Sequence, residues 1–570
     1  MPLAAGMNTQ QLAGVIAHEF GHLSQHSAMR FSSLINAITV WFARSAYERD
    51  QWDYWLARAA TSLPRILAWP LRLVMACIAG ARFVLAGFHI VGHFVSVNLT
   101  RQMEFNADLY EARLSGSRTF AGTTWRLHLL GQATGGAVAD LQNSWKEKRL
   151  SDNYPALIAA NVAQVSERSR QEMAEYLRST ESSLWDTHPS PRDRVERVRE
   201  EDAPGIYAVR QPAAALFADF DRLCRRATLG FYRSVLGPEI NQSNLIPVAK
   251  LVKSSRRQQA NRVATARFFQ GLLFPHRPVI VTAKEVAPVP DEQVETAKET
   301  LFRVRTALAR GLKETERAYE RYFEFDDVKV RALRALALLD AGLRINAESF
   351  GVDGDSRDEV IATLRRAIQS QNELGAQLER FESLQKKRLV TALSLVKTRG
   401  VAEKVLNAFQ YGDKIARVTK MGAALKQAMP ALLELRNDFH GFHSLVVQDI
   451  DWKKYPPLVE QMVTKLTCAC DHLRTIEYRL CDQEYPFDHA RGRISLSKYL
   501  FEDSPGADKD DLKATAITAG EVLSRMSEFY FRQMEELAGI ATEVEISLGH
   551  KPLPVPKKLA DEPGFESSDF

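Results

Sequence analysis

The stretch GVIAHEFGHLSQH, residues 14–26, holds two histidines four positions apart with a glutamate directly after the first. On an α-helix, residues i and i+4 lie on one face, so the imidazoles of His18 and His22 would point at the same place. Glu19 would be rotated from His18 by about 100°, beside that place but not at it. This spacing is typical of a metal-binding helix whose glutamate acts as a general base.

Zinc is the metal that such a helix favours, because it accepts imidazole nitrogen and keeps an open position in catalytic sites. It also lowers the pKa of bound water to about 7, which suits Glu19 as the proton acceptor. The apolar lead-in LAGVIA, residues 12–17, predicts a helix with one face in a core. We expect Phe20 and Leu23 to pack into that core. The alternative, a surface helix with chance histidines, would need no apolar lead-in.

A third metal ligand is expected from NLTRQMEFNADLYEARLSG, residues 98–116. Glu104 and Asp108 are four apart, so on a helix both would face one way. Glu104 can complete a set of two histidines and a glutamate. Asp108 can hydrogen-bond a ligand histidine and hold its tautomer. Taken alone, the same spacing also fits a solvated acidic face that includes Glu111.

Three motifs, in this order, resemble one group of enzymes. AHEFGH (17–22), TRQMEFNADLYEA (100–112) and DTHPSPRDRVERV (186–198) are similar to the membrane-associated zinc metallopeptidases that include the CAAX prenyl proteases and the bacterial heat-shock protease HtpX. The resemblance covers about residues 8–200. It implies a zinc metalloendopeptidase that holds one Zn²⁺ ion and hydrolyses peptide bonds of polypeptide substrates with metal-activated water.

The resemblance also implies a role for each matching residue. His18, His22 and Glu104 would bind the metal, and Glu19 would be the catalytic base. Two residues of the third motif would lie near the cleft and stabilise the oxyanion that forms as water attacks the carbonyl, a role for preorganised donors. These two catalytic candidates are His188 and Arg194.

The position of the metal helix in the chain raises an alternative of another class. The similar enzymes carry further sequence before this helix, including a membrane segment and an edge strand that pairs with the substrate. Here seventeen residues precede His18, so we expect the sequence as written to be N-terminally truncated relative to that group. The alternative is therefore a catalytically weak, membrane-anchored scaffold whose helical C-terminal half mediates interactions.

Residues 66–99 form an apolar run long enough to cross a bilayer, which takes about 20 residues. Arg82 would then have to reach the surface or pair with protein. Alternatives are a hairpin in the membrane that turns near Gly80 and a buried helix pair of a soluble domain. We favour contact with membrane lipid. Five cysteines that form no disulfide framework and no visible secretory signal predict an active site that faces the cytoplasm. With the resemblance to HtpX-like enzymes, this implies a bacterial inner membrane.

The whole chain of 570 residues predicts a mainly α protein of several domains. We predict a zinc-peptidase domain with hydrophobic helices at 1–205, a connector region at 206–292, a helical-bundle or coiled-coil-like region at 293–550 and a disordered tail at 551–570. Within the connector region, the proline-rich segment 271–292 is expected to contain one strand. Within the bundle, Ser356 and Glu359 predict a capping box that begins a helix.

The net charge of the chain and its helical C-terminal half indicate which partners to expect. The net charge of +5 and the lack of a dedicated motif predict no nucleic-acid partner. The amphipathic helices of 293–550 are expected to bind protein partners or to drive self-association.

Overall fold

The computed structural model describes residues 1–556 apart from 63, 184, 397, 399–400, 402, 404, 406–407, 447–455, 509–510 and 555. The greater part of the tail expected to be disordered, residues 557–570, lies outside the described residues. The fold is mainly α-helical, as predicted. The chain divides into two compact units, Met1–Val252 and Lys253–Phe570.

The first unit is a set of helices with one pair of short parallel strands, β1 (Leu150–Ser151) and β2 (Leu245–Ile246). Its helices are α1 (Pro2–Gly6), α2 (Thr9–Ser24), α3 (His26–Tyr47), α4 (Gln51–Ser62), α5 (Arg65–Ser115), α6 (Ser117–Trp145), α7 (Tyr154–Val162), α8 (Glu167–Ser179), α9 (Pro191–Glu201) and α10 (Phe220–Leu236).

Helix α2 carries the two histidines and begins at a capping box. The side chain of Asn8 accepts from the N–H of Gln11, and the side chain of Gln11 accepts from the N–H of Asn8. Two glycines let α2 approach α5 closely. A Cβ on Gly21 would lie 2.9 Å from the Cα of Ala107, and one on Gly14 would lie 2.9 Å from the Oγ of Ser115. Larger residues would push the first and second motifs apart.

Helix α5 is continuous from Arg65 to Ser115. The predicted alternative of a hairpin turning near Gly80 is therefore wrong. A single glycine costs a helix only about 1 kcal/mol relative to alanine, too little to reverse the chain. The reversal lies earlier, between α3 and α5, where α4 intervenes. Helix α3 packs along α5, and Nδ1 of His89 lies 3.1 Å from the carbonyl oxygen of Thr39.

Helices α6 and α9 pack against the last turns of α5. Ala112, Phe120 and Val198, one from each helix, form a small buried cluster. Helix α9 begins in the third motif, where the Oγ of Ser190 accepts from the N–H of Asp193. A proline at the first helical position follows this cap, which fixes the start of α9 beside the second motif.

The second unit consists mainly of long helices. It takes most of α11 (Val248–Phe269) and contains α12 (Val294–Asp340), α13 (Ala347–Phe350), α14 (Arg357–Leu395), α15 (Ala408–Thr419), α16 (Gly422–Val446), α17 (Pro456–Leu480), α18 (Leu496–Leu500) and α19 (Leu512–Ser547). The capping box of Ser356 and Glu359 is confirmed at the start of α14.

The strand predicted within 206–292 from the segment 271–292 is wrong, since that segment contains no strand among its described residues. Its apolar residues Val279, Val281 and Val286 are instead buried against helices of the second unit. The N–H of Val279 donates to the Oη of Tyr530, 2.8 Å away. A side chain thus satisfies a backbone group that a neighbouring strand would otherwise have satisfied.

Candidate metal centre

The predicted ligands His18, His22 and Glu104 come together from α2 and α5. The Nε2 atoms of the two histidines are 3.1 Å apart. The carboxylate of Glu104 has one oxygen 3.7 Å from Nε2 of His18 and the other 3.8 Å from Nε2 of His22. A tetrahedral zinc site, with ligands about 2.0–2.1 Å from the ion, separates its donors by roughly 3.3 Å. The three side chains therefore fit an ion of this size.

The site is half-buried. The side chains of His18 and Glu104 are 13% and 12% exposed, and that of His22 is 25% exposed. In the part of the chain that the structure describes, no other group of three His, Cys, Asp or Glu side chains has the spacing of metal ligands. A site that is buried on one side and open to solvent on the other suits a catalytic metal ion, which must also contact the substrate.

Asp108 lies directly behind His18. Its carboxylate is fully buried, and Oδ1 lies 3.0 Å from Nδ1 of His18. Burial acts to lower the pKa of His18, but the carboxylate of Asp108 beside Nδ1 outweighs it, so the pKa is raised. A hydrogen on Nδ1 leaves the lone pair of Nε2 to face the ligand cluster, which is the tautomer that binds a metal.

Arg194 supports Asp108 from α9. Its Nε donates to Oδ2 of Asp108 at 2.8 Å, and a second guanidinium N–H donates to Oδ1. Its Nη2 is also 3.7 Å from Oε2 of Glu104. Burial acts to lower the pKa of Arg194, but the two carboxylates outweigh it and raise the pKa. The guanidinium therefore stays charged between the two acids.

His188 lies at the mouth of the site. Its Nδ1 is 3.1 Å from Oε1 of Glu104, and its side chain is 69% exposed. Arg101, from the second motif, anchors the segment that precedes His188. Its guanidinium donates to the carbonyl oxygen of Asp186 at 2.8 and 3.0 Å and to that of Ser183. No local sequence signal predicts this contact, because it joins residues more than eighty positions apart.

The catalytic candidate Glu19 is exposed on α2, next to the ligands. Phe20 and Leu23 are also exposed, at 62% and 52%, so the prediction that they pack into a core is wrong. The reason is that α2 buries its narrow face, with Gly14 and Gly21, against α5. The face that carries Glu19 and Phe20 stays open beside the metal centre.

The acidic residues of α5 are not a solvated face. Asp108 and Glu111 are buried, at 0% and 4% exposure. The burial of Glu111 was missed by sequence reasoning, although its spacing offered a signal. Positions 104, 108 and 111 share one face of a helix, so a ligand role for the first predicts that all three point inward.

Comparison with known proteins agrees with this geometry. Residues 2–202 match peptidase family M48, while the C-terminal half matches no family. No curated protein and no solved structure gave a significant match to the chain. The match spans all three motifs and ends at the C-terminal end of α9. Residues 2–202 of this chain are therefore similar to the metallopeptidases of family M48.

Proposed function

We propose that the chain is a zinc-dependent metalloendopeptidase that cleaves polypeptides, with His18, His22 and Glu104 as ligands of one Zn²⁺ ion. The observation that carries this proposal is the meeting of three donor atoms from two helices at the spacing of a tetrahedral zinc site. A buried carboxylate, Asp108, behind His18 adds the partner that metal-binding histidines usually have.

When bound, zinc would polarise the peptide carbonyl and lower the pKa of water at the site. Glu19 is the proposed general base, since it is exposed and directly follows His18. It takes the proton from the attacking water and passes it to the leaving amine. Asp108 holds the tautomer of His18, and Arg194 holds Asp108.

His188 is the proposed donor to the oxyanion of the tetrahedral intermediate. It is the most exposed of the polar side chains that contact Glu104. An imidazole there can turn from the carboxylate towards substrate without leaving a buried group unpaired. Arg194 is engaged by Asp108 through two hydrogen bonds, so we assign it chiefly to positioning.

We also propose that α3, α4 and α5 enter a membrane. Helix α5 contains a segment, within Ala68–Ser115, long and apolar enough to cross a bilayer, and none of that apolar window is buried. Helix α4 exposes Trp52, Tyr54 and Trp55, the residue types that collect at membrane interfaces. The charge of Arg82 is compensated by a protein partner, as a position in the membrane requires, because its guanidinium donates to both carboxylate oxygens of Asp53 at 2.8 and 2.6 Å.

The test of the peptidase is a zinc assay and a casein-cleavage assay on the same preparations of the full chain. Glu19→Gln should keep stoichiometric zinc and lose cleavage by about a thousandfold, since a general base contributes roughly 10²–10⁴. Glu175→Gln, on the exposed surface of α8, is the matched control and should keep both properties.

Two results would count against the proposal. Cleavage that persists in Glu19→Gln would exclude Glu19 as the general base. A parent chain that binds no zinc would contradict the proposed metal centre. Zinc without cleavage in the parent would favour the scaffold alternative.

A further inference from the structure

A cavity of about 290 Å³ lies inside the second unit, between α16, α19 and the segment 275–280. Most of its wall is apolar and comes from Ile280, Leu425, Met429, Leu432, Phe439 and Phe529. An engineered apolar cavity of about half this volume accepts benzene. The cavity can therefore hold an apolar body of roughly ten carbons, but not a lipid with two long chains.

One part of the cavity wall is polar and carries positive charge. Arg436 lies in the wall, and its guanidinium pairs with Asp326, with Nη1 3.4 Å from Oδ1. Lys329 lies 3.2 Å from the same oxygen of Asp326. Arg334 lies beside them, and its Nη2 is 3.4 Å from Nδ1 of His440 in the wall. Among described residues, Asp326 is the one carboxylate within ion-pair distance of Arg436 and Lys329.

The histidines of the wall add hydrogen-bond donors without adding charge. Burial and then Arg436 lower the pKa of both, that of His440 to about 4. A neutral His440 accepts from Arg334 at Nδ1, so its Nε2 carries the hydrogen. The Nε of Arg334 is buried and has no hydrogen-bond partner in the described part of the chain. Buried donors of this kind are expected to have an acceptor.

We propose that this cavity binds a small amphipathic carboxylate, with its apolar body against Met429, Leu432 and Phe529 and its carboxylate towards Arg436 and His440. The apolar wall stabilises the body by removing it from water. Arg436 in the wall and Lys329 and Arg334 beside it outnumber the one carboxylate of Asp326, which favours an anionic head over a neutral or cationic one. The proposal is independent of the peptidase function, because every residue that it uses lies in the second unit.

The test uses the full chain in phosphatidylcholine nanodiscs and a decanoate that carries a photoactivatable diazirine on its chain. After irradiation, mass spectrometry should find the label in peptides that contain residues 425–440 and 523–530, which line the cavity. An excess of plain decanoate should remove this label. Label spread evenly over the chain, or label that decanoate does not displace, would overturn the proposal.

Two variants test the apolar wall. Leu433 lines the cavity and is 37% exposed, so Leu433→Trp can fill the space with little strain. It should reduce labelling by about tenfold. Val463→Trp, on the exposed surface of α17 and outside the cavity, should label as the parent does. Protection of the buried thiol of Cys470 from a thiol reagent verifies that each variant is folded.

The head group is tested on the unchanged protein, so a variant that fails to fold cannot leave the question open. A diazirine-bearing decanol should label the same peptides about tenfold less, because the alcohol loses the charge-assisted hydrogen bond that the carboxylate makes. Equal labelling by the alcohol and the carboxylate would contradict the proposed role of Arg436 and His440.

Discussion

The two halves of α5 have opposite polarity. In residues 68–99 large apolar side chains face outward, with Phe83 81% exposed, whereas in residues 100–115 carboxylates face inward, with Asp108 fully buried. The exposed large apolar residues of the first half are Trp69, Leu73, Val74, Phe83, Val84, Phe88, Ile90, Val91, Phe94 and Val95. One continuous helix thus has an exposed apolar surface at one end and a polar, protein-lined surface at the other.

The difference between the two halves of α5 shows which interactions must stabilise each of them. An apolar surface of this extent is stable only against another apolar phase, and the length of the helix favours lipid. Buried carboxylates are stable only when charges or hydrogen bonds compensate them. Asp108 has both His18 and Arg194, and Glu104 has His188 and the proposed metal. Each half of α5 can be tested by its own substitution.

The largest effect is expected from Glu104→Ala, which removes a ligand from the polar half. Zinc affinity should fall by about a thousandfold, and casein cleavage should fall with it, because one of three protein ligands is lost. Chelator competition measures the affinity. Glu175→Ala, on exposed α8, is the control. Zinc that is bound as tightly as by the parent would exclude Glu104 as a ligand.

The apolar half is tested by Val84→Lys. Val84 is 55% exposed in the middle of the apolar segment, where a lysine costs roughly 3 kcal/mol in a bilayer. The fraction of protein released from membranes by alkaline carbonate should rise, while zinc binding stays unchanged. Val138→Lys, at an exposed position of α6, should release no more than the parent. If the two variants behave alike, α5 does not meet lipid.

A smaller effect is expected where α5 supports the metal centre without binding it. Asp108→Asn keeps the shape of the side chain but removes the charge that faces His18 and Arg194. Zinc affinity should fall by about 10–100-fold, the usual cost of losing such a partner. Asp413→Asn, exposed on α15, should change nothing. Unchanged affinity in Asp108→Asn would assign Asp108 to folding alone.

The smallest effect is expected in the second unit, where protonation of the buried His440 would place a charge in the protein interior. The pKa of His440 is lowered from 6.5 to about 4, chiefly by burial, so its protonation opposes folding. Between these values the unfolded chain binds the proton and the folded chain does not. The free energy of unfolding should therefore be at its full value with respect to His440 above pH 6.5. It should fall by about 1–2 kcal/mol as the pH drops towards 4.

The measurement is urea-dependent labelling of the buried Cys470 with a pyridyl disulfide, which also reacts in acid. His440→Gln should flatten the pH dependence for Cys470. Cys224, buried in the first unit, is the internal reference and should respond equally in both proteins. A pH dependence that survives in His440→Gln would assign it to other groups.

Spacing along the sequence predicted that the candidate ligands His18, His22 and Glu104 would come together, but it did not predict what surrounds them. The interval between His18 and His22 and that between Glu104 and Asp108 each fix a shared helix face. Neither interval says which face another helix covers, so the exposure of Phe20 and the burial of Glu111 were not foreseen. That information lies in Gly14 and Gly21, whose significance depends on a partner helix ninety residues away.

The second unit shows the same limit more strongly. Helices such as α14 follow from their caps and apolar periodicity, which are local signals. The cavity instead joins residues 275–280 to α16 and α19, segments more than one hundred positions apart. No local period encodes such a pairing, and the valines of 279–286 resemble a strand until the helices around them are known.

The most direct test of the metal centre is the X-ray absorption spectrum of the full chain loaded with Zn²⁺, recorded at the zinc edge. We predict scattering from two imidazoles and from oxygen donors at about 2.0–2.2 Å. In Glu104→Ala one carboxylate contribution should be lost while the imidazole scattering remains. A spectrum with sulfur ligands, or one without imidazole scattering, would contradict a zinc site built by His18, His22 and Glu104.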